Sequence, residues 1–550
     1  MKHSSAPSQA ARTRQWLERV DSTLRNYGVR QAARLALQAI EAGVEHPSLL
    51  NLAASARHGE GRFEEAVDLL KRARALAPKD ANVLNSLGIC LKALGRPEAA
   101  LEAYAAALKI DPGLAGAHFN RGALLESLNN VTAARSAYER AAGLDSNYAE
   151  PVAGLAWLDA QAGDPVSARA RAERALVLSK SNLLARMALA SADLQEGNLA
   201  AATSLLDALA RDPAVSQVNR SIVLGLIGDL LDAEGRPADA FAAYWASNAE
   251  LKALHAERYR QPGQETPAGH SRRLAGWFST ADPEPWHQSP PVRPRASDPR
   301  VHAFLVGFPR SGTTLLETVL AAHPEVVSLE EKDSLASASA AYLETEEGLE
   351  RLAQLSSGEA ARRREAYWSS VRSFGVEPRG KVFIDKMPLA SVALPVVARL
   401  FPNARILFAR RDPRDVVLSC FRRRFAMNPS MYQLLSLEGA ADYYDAVMRL
   451  SDVYSGLLPL PRHVVCYENL VDDFEGTARA ACGFLGLAWD ARLLDFAARA
   501  RTRGISTPSA SQVARGLNRE GKGAWRRYSD PMGPVLPILE PWVRAFGYEP

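Results

Sequence analysis

The sequence predicts an all-α solenoid followed by an α/β domain with a largely parallel, P-loop-like sheet. Three observations carry this. A 34-residue pattern of small, large and turn-forming residues recurs through the first part of the chain, residues 13–260. From Val301 onward, short apolar runs alternate with helical segments. The first of those runs ends in a glycine-bounded loop, Gly307-x4-Gly312, which opens a helix. At roughly 100–200 residues per domain, 550 residues also predict more than one domain.

The repeat is clearest from Ala81. Leu84, Leu87, Gly88, Leu91, Gly95, Ala100, Tyr104, Ala107 and Pro112 hold positions 4, 7, 8, 11, 15, 20, 24, 27 and 32. The pattern returns from Pro47, Ala115, Ala149 and Leu183, and again, after a four-residue slip, over Leu224–Tyr244. A weak first copy starts near Thr13, for about seven helix pairs in all. Small residues at 8 and 20 let two antiparallel helices approach. Large residues at 4, 7, 11 and 24 fill the space between them. Glycine at 15 closes the first helix and proline at 32 ends the second. One pair cannot bury its apolar face alone, so copies must stack. The array resembles the tetratricopeptide repeat family, which implies peptide or protein binding and leaves a protein partner on the solenoid open.

Residues 261–300 break the rhythm with prolines and read as a linker, with one short helix near Arg272–Phe278. The domain from 301 to 550 then reads in order. Val301–Val306 is a buried strand, and Thr313–Ala322 is a helix. Val382–Ile384 is a second strand, with a helix over Ser391–Leu400. Arg405–Phe408 is a third, with a helix from Pro413 to Arg424. Leu437–Leu457 is a long helix. Val464–Cys466 is a fourth strand, with a helix near Phe474–Leu485. Ligands on such sheets sit at the carboxyl ends of strands.

Composition narrows the function. With 66 basic and 62 acidic residues the charge is nearly balanced, so nucleic-acid binding gains no support. Arginine outnumbers lysine 55 to 11, which makes the basic balance a poor guide to partners. Cys90, Cys420, Cys466 and Cys482 are scattered without a C-x-x-C pair, which fits a reducing compartment. No signal peptide is visible, and no apolar run is long enough for a transmembrane span. The expected location is cytoplasmic. No H-E-x-x-H or Cys/His cluster occurs, so no metal is expected.

The strongest chemical signal is Gly307-Phe308-Pro309-Arg310-Ser311-Gly312-Thr313-Thr314. Backbone N–H groups in such a turn, together with the helix dipole, favour an anion. Thr313 stands where a nucleotide-hydrolysing P-loop has its lysine, and Arg310 carries the charge from inside the loop instead. A P-loop kinase is disfavoured for the same reason. A second motif is Arg411-Asp412-Pro413-Arg414-Asp415-Val416-Val417-Leu418-Ser419. A third is Tyr467-Glu468-Asn469-Leu470-Val471, and a fourth is Ser509-Ala510-Ser511-Gln512-Val513 with Lys522 and Trp525 beyond.

These four motifs, in this order, resemble tyrosylprotein sulfotransferases, whose sulfuryl donor is 3′-phosphoadenosine 5′-phosphosulfate and which need no metal. The resemblance implies that Pro309, Arg310, Ser311, Gly312, Thr313 and Thr314 bind the donor's 5′ side. It implies that Arg411, Ser419 and Arg423 hold its 3′-phosphate, and that Tyr467 and Lys522 lie on its adenine side and covering loop. Lys522 departs from the pattern, standing three residues before Trp525 rather than next to it. For Arg423, within Arg422-Arg423-Arg424, solvated charge is the plain alternative.

Four residues are implied as catalytic. Glu331 stands 21 residues after Arg310, the family spacing for the base. Its plain alternative is a solvated pair with Glu330, opening a helix near Asp333. Lys386 and Arg310 supply cations at the leaving oxygen. Ser509 donates to the same group, with Ser506 and Ser511 as competitors. His323, in Ala322-His323-Pro324, reads as a helix-end residue rather than a base. The implied reaction is sulfuryl transfer to an acceptor hydroxyl. The solenoid could present a peptide, so protein or peptide tyrosine is the leading acceptor. A glycan or small-molecule hydroxyl is the enzymatic rival, and a repeat scaffold with a non-catalytic nucleotide-sensing domain is the other.

Overall fold

The computed structural model describes residues 9–288, 295–498, 513 and 516–549. Two compact units divide within the repeats. One holds the chain to Leu158 with Ser167–Ala188. The other holds Asp159–Val166 and everything from Leu189.

Among the described residues the repeats form fourteen consecutive helices, from Gln9–Tyr27 to Pro237–Tyr259, in seven pairs. Local chemistry explains their ends. The Asp80 carboxylate accepts from the N–H groups of Asn82 and Val83 at the start of Ala81–Ala93. Proline opens Pro97–Ile110, where its missing N–H costs nothing. The turn between these helices needs a left-handed residue, supplied by Gly95 (φ 68°). In the next copy Asn129 (φ 58°) takes that place, since asparagine tolerates the conformation. Small residues at position 8 answer tyrosines at position 24. A Cβ on Gly88 would lie 2.5 Å from Cε1 of the buried Tyr104 ring.

In the second unit the repeats end at Tyr259 and the stretch 261–300 follows. It holds a 14-residue helix, Pro267–Thr280, longer than the segment expected there. Leu274, Phe278 and Trp286 from this stretch are buried in the same core as Phe304, Phe408 and Tyr454. The buried Arg399 side chain donates to the carbonyl oxygens of Leu352 and Gln288 at 3.1 and 2.9 Å.

Among the described residues, five strands form one parallel sheet: β1 (Val301–Gly307), β2 (Val326–Glu330), β3 (Val382–Lys386), β4 (Arg405–Arg410) and β5 (Arg462–Cys466), in the order β2-β3-β1-β4-β5. Alternation along β1 sends Phe304 and Val306 to one face and Ala303 and Leu305 to the other, and apolar helices cover both.

The expected four strands are present, and β2 is additional. Glu330 ends this strand, and the helix expected to open near Asp333 starts three residues later, as Ala336–Tyr342. The helix expected over Ser391–Leu400 is split into a 3-10 turn, Pro388–Ala393, and a short α-helix, Leu394–Leu400. Pro395, just inside the second piece, lacks the N–H that would continue the first. The helix expected to reach Arg424 ends at Arg422. No described helix is long and apolar enough to cross a membrane.

Candidate functional site

Because all five strands run the same way, their carboxyl ends lie along one edge. Across the sheet that edge carries Glu330, Lys386, the loop after Gly307, Arg410 with Arg411, and Cys466 with Tyr467. The chain steps to opposite sides from β1 and β4, which is where open α/β sheets bind ligands.

The loop has little freedom. A Cβ on Gly307 would lie 2.6 Å from the Ala409 carbonyl oxygen, so β1 and β4 approach too closely for any other residue. Arg310 adopts φ 71° and Gly312 φ 97° before the helix Thr313–Ala321 begins. Gly312 has no side chain to cap that helix, a condition that suits an incoming anion. Tyr467 packs beside it, and a Cβ there would lie 3.1 Å from the Tyr467 ring.

Arginines converge on this loop. The buried Arg310 donates through Nε to the Ser419 hydroxyl at 3.0 Å. Arg411 donates to the Arg310 carbonyl oxygen at 3.1 Å and lies over the Tyr467 ring, 4.7 Å from its centre. Burial, then the charges of Arg423 and Arg411, push the Arg310 guanidinium down to about 9. Such a cluster is electrostatically frustrated until an anion enters it, which fits a phosphate or phosphosulfate ligand.

On the other side of the loop, Lys386 is fully buried and Nζ donates to Glu331 Oε1 at 2.8 Å, with Glu330 Oε1 at 3.6 Å. Burial alone would lower this ammonium, but Glu331, Glu330 and Glu317 outweigh it and raise it, so it stays charged. Glu331 has the left-handed φ of 44°, and its N–H donates to the Lys386 carbonyl oxygen at 2.8 Å. Of three described non-glycine residues at positive φ, two are therefore Arg310 and Glu331. Strain of this kind persists where surroundings over-determine it, typically at functional sites.

The structure thus brings Glu331 to Lys386, and Arg310 to Ser419, Arg411 and Tyr467. It turns Lys522 outward, to an exposed pair with Asp472. The neighbouring Gly521 carbonyl accepts from Arg411 instead. Ser509 lies outside the described residues. His323 is buried, with Nε2 3.1 Å from the Ala488 carbonyl oxygen and Nδ1 accepting from the Glu325 N–H.

Several contributors were not identified from sequence. Asp415, inside a recognised motif, accepts from the N–H groups of Gly523 and Trp525 at 2.7 and 2.9 Å and pins the C-terminal segment over the site. Glu468 accepts from the Asp412 N–H at 3.0 Å and from the Tyr548 hydroxyl at 2.8 Å. Asp415 lies midway between Arg411 and Ser419, and Glu468 follows Tyr467, which was the available signal.

Asp385 precedes Lys386 and points to the opposite face. It accepts from Ser334 at 2.6 Å and Tyr367 at 2.7 Å, tying the loop after Glu331 to the core. Burial pushes its carboxyl up to about 6, above the ~3.9 of an unfolded aspartate. The folded state therefore gains from the proton below pH ~3.9, and that gain is lost as pH rises through about 6. Asp385→Asn cannot ionise. Wild type is expected to lose about 2–3 kcal/mol relative to this variant between about pH 4 and about pH 7.5, as measured by urea unfolding.

Comparison with known proteins adds the families that parts of the chain resemble. Residues 303–491 match the sulfotransferase family, and residues 45–112 and 85–149 match tetratricopeptide repeats. An uncharacterized protein of Aquifex aeolicus (strain VF5) is 26% identical over 253 residues, 43% of this chain and 32% of that protein. Protein-tyrosine sulfotransferase A of Caenorhabditis elegans is 26% identical over 278 residues, 48% of this chain and 72% of the relative. Protein-tyrosine sulfotransferase 2 of Gallus gallus is 28% identical over 265 residues, 45% of this chain and 69% of the relative. The chain thus spans 32% of the length of the first of these and somewhat more than two thirds of the other two.

Proposed function

We propose that this chain transfers a sulfuryl group from 3′-phosphoadenosine 5′-phosphosulfate to an acceptor hydroxyl, with protein or peptide tyrosine as the leading acceptor. One observation carries the reading. A carboxylate–lysine pair, Glu331–Lys386, stands at one side of a cationic, glycine-bounded loop, and an arginine–tyrosine pair, Arg411–Tyr467, stands at the other. The first can do chemistry and the second can hold a nucleotide.

Each residue then has a role. Glu331 takes the proton from the acceptor hydroxyl as the new S–O bond forms. The S–O bond to the phosphate breaks, and its electron pair stays with adenosine 3′,5′-bisphosphate. Lys386 and Arg310 meet that charge in a site shielded from water. Ser509 is proposed as a further donor there. Pro309–Thr314 supply backbone and hydroxyl contacts to the 5′ side, while Arg411, Ser419 and Arg423 take the 3′-phosphate. No metal is needed for these steps. The proposed location is cytoplasmic, which the four free cysteines support. The similarity to protein-tyrosine sulfotransferases favours tyrosine over a glycan or small-molecule hydroxyl.

Calorimetric titration with adenosine 3′,5′-bisphosphate, without metal, tests the donor site. Wild type is expected to bind, and Arg411→Ala to bind about 10–100-fold more weakly, as loss of a charge-assisted contact predicts. A chain that ignores the bisphosphate and takes ATP with Mg²⁺ would overturn the proposal. Labelled donor with tyrosine peptides, glycans and small phenols would then separate the acceptor classes.

A further inference from the structure

The last repeat is part of the wall behind the donor-gripping arginines. Asn248 donates to the Phe421 carbonyl oxygen at 2.8 Å, capping the helix Pro413–Arg422. Phe241 stacks on Phe421 with ring centres 5.0 Å apart. Arg422 pairs with Asp232 at 2.5 Å and lies over the rings of Tyr244 and Tyr528. Asp232 also accepts from the Tyr528 hydroxyl at 2.6 Å and pairs with Arg527 at 3.0 Å. That carboxylate keeps only 14% of its surface in water and is well supplied with donors, as a structural ion pair must be.

Asp229, one turn earlier on the same helix, is different. Its Oδ1 accepts from Tyr244 at 2.8 Å. Its Oδ2 meets Arg423 Nη1 at 3.5 Å, and both side chains keep 32% of their surface in water. This is a long, wet pair, easily exchanged for a better one. Arg423 is also the arginine that the family resemblance assigns to the 3′-phosphate, and its charge reaches Arg310 in the loop.

Resting on the proposed donor site, we infer that Asp229 is a positioning residue that competes with the donor's 3′-phosphate for Arg423, and so sets how strongly the site distinguishes nucleotides with and without that phosphate. A carboxylate beside the arginine lowers the local positive potential and leaves the arginine partly neutralised. Removing its charge frees the guanidinium and deletes a repulsion toward the phosphate. The final repeat is thereby an electrostatic part of the donor site, as well as its neighbour.

The test uses the full chain, titrated with adenosine 3′,5′-bisphosphate and with adenosine 5′-monophosphate. Asp229→Asn is expected to bind the bisphosphate about two- to fivefold more tightly, the range of a half-exposed ion pair, with monophosphate affinity unchanged. The gain should shrink at high salt, and Asp229→Glu should restore wild-type affinity. Arg423→Gln should weaken the bisphosphate alone, and in the double variant the effect of Asp229→Asn should vanish. Equal or weaker bisphosphate binding by Asp229→Asn overturns the inference while leaving the donor site intact. A wild type with no preference for the bisphosphate overturns both. If Asp229→Asn does not fold, Arg423→Gln still decides, because an unchanged preference in that variant removes the 3′-phosphate from Arg423.

Discussion

Glu331→Gln is expected to lower kcat for sulfuryl transfer by about 10²–10⁴-fold, the usual worth of a general base. Affinity for adenosine 3′,5′-bisphosphate should change little, because Glu331 belongs to the chemical side of the loop. An amide keeps the shape of the carboxyl and can still accept from Lys386, but it cannot take a proton from an acceptor. The backbone argues for the acid as well. A β-strand ends at Glu330 and the very next residue is forced to φ 44°, a conformation that costs on the order of 1–3 kcal/mol. A merely solvated charge pair would need no such turn. Steady-state rates with labelled donor check the expectation, with Glu330→Gln as the companion. If Glu330→Gln carries the loss and Glu331→Gln does not, the base is the neighbour.

What could be read from sequence follows from how local each signal is. The helices Leu437–Leu457 and Phe474–Leu485 have the expected bounds, because Ser436 and Asp473 cap them and the apolar period is long. The strand β2 was hidden for the opposite reason. It has five residues at a sheet edge, ends in charge, and carries Ser328, whose hydroxyl is spent on Glu317 of the preceding helix. The helix Pro267–Thr280 had a visible start in Thr266-Pro267, a capping residue followed by a first-turn proline. The prolines around it masked that start.

The site divides in the same way. Arg310, Arg411 and Tyr467 were legible because each lies within three residues of a strand's end, inside a recognisable motif. Glu331 and Lys386 are 55 residues apart, and nothing local to either predicts their contact. Family spacing alone brought Glu331 forward, and Lys386 was found from its family position together with its place at a strand end and the scarcity of lysine. Asp229 and Asp232 were beyond reach, since their partners lie some 190 residues away and a repeat pattern has no reason to hold an acid there. Local chemistry makes strand ends and loops; pairings across the sheet edge come from topology.

Lys386→Met should do more damage than any other single change proposed, because it acts on the fold and the reaction together. Three carboxylates, Glu331, Glu330 and Glu317, are near enough to raise this buried ammonium. Removing the cation leaves them without their common counter-charge. Breaking a buried pair in this way costs about 3–5 kcal/mol, and the low end applies here because Glu331 keeps 26% of its surface in water. Sulfuryl transfer should fall by at least about 10²-fold, as for loss of a charge-stabilising donor. The pH dependence identifies the cause. In wild type the raised ammonium stabilises the fold at every pH below the ~10.4 of a free lysine, so the pair adds no slope near neutrality. In the variant three carboxylates crowd together without a cation, and their mutual repulsion favours taking up a proton. Their folded-state affinity for protons then exceeds that of the unfolded chain, and stability should rise as pH falls from about 7 toward 5. Thermal unfolding across that range checks it. A variant equally destabilised at both ends would have lost packing, whereas one that recovers in acid has lost the positive charge that balances the carboxylates around Lys386.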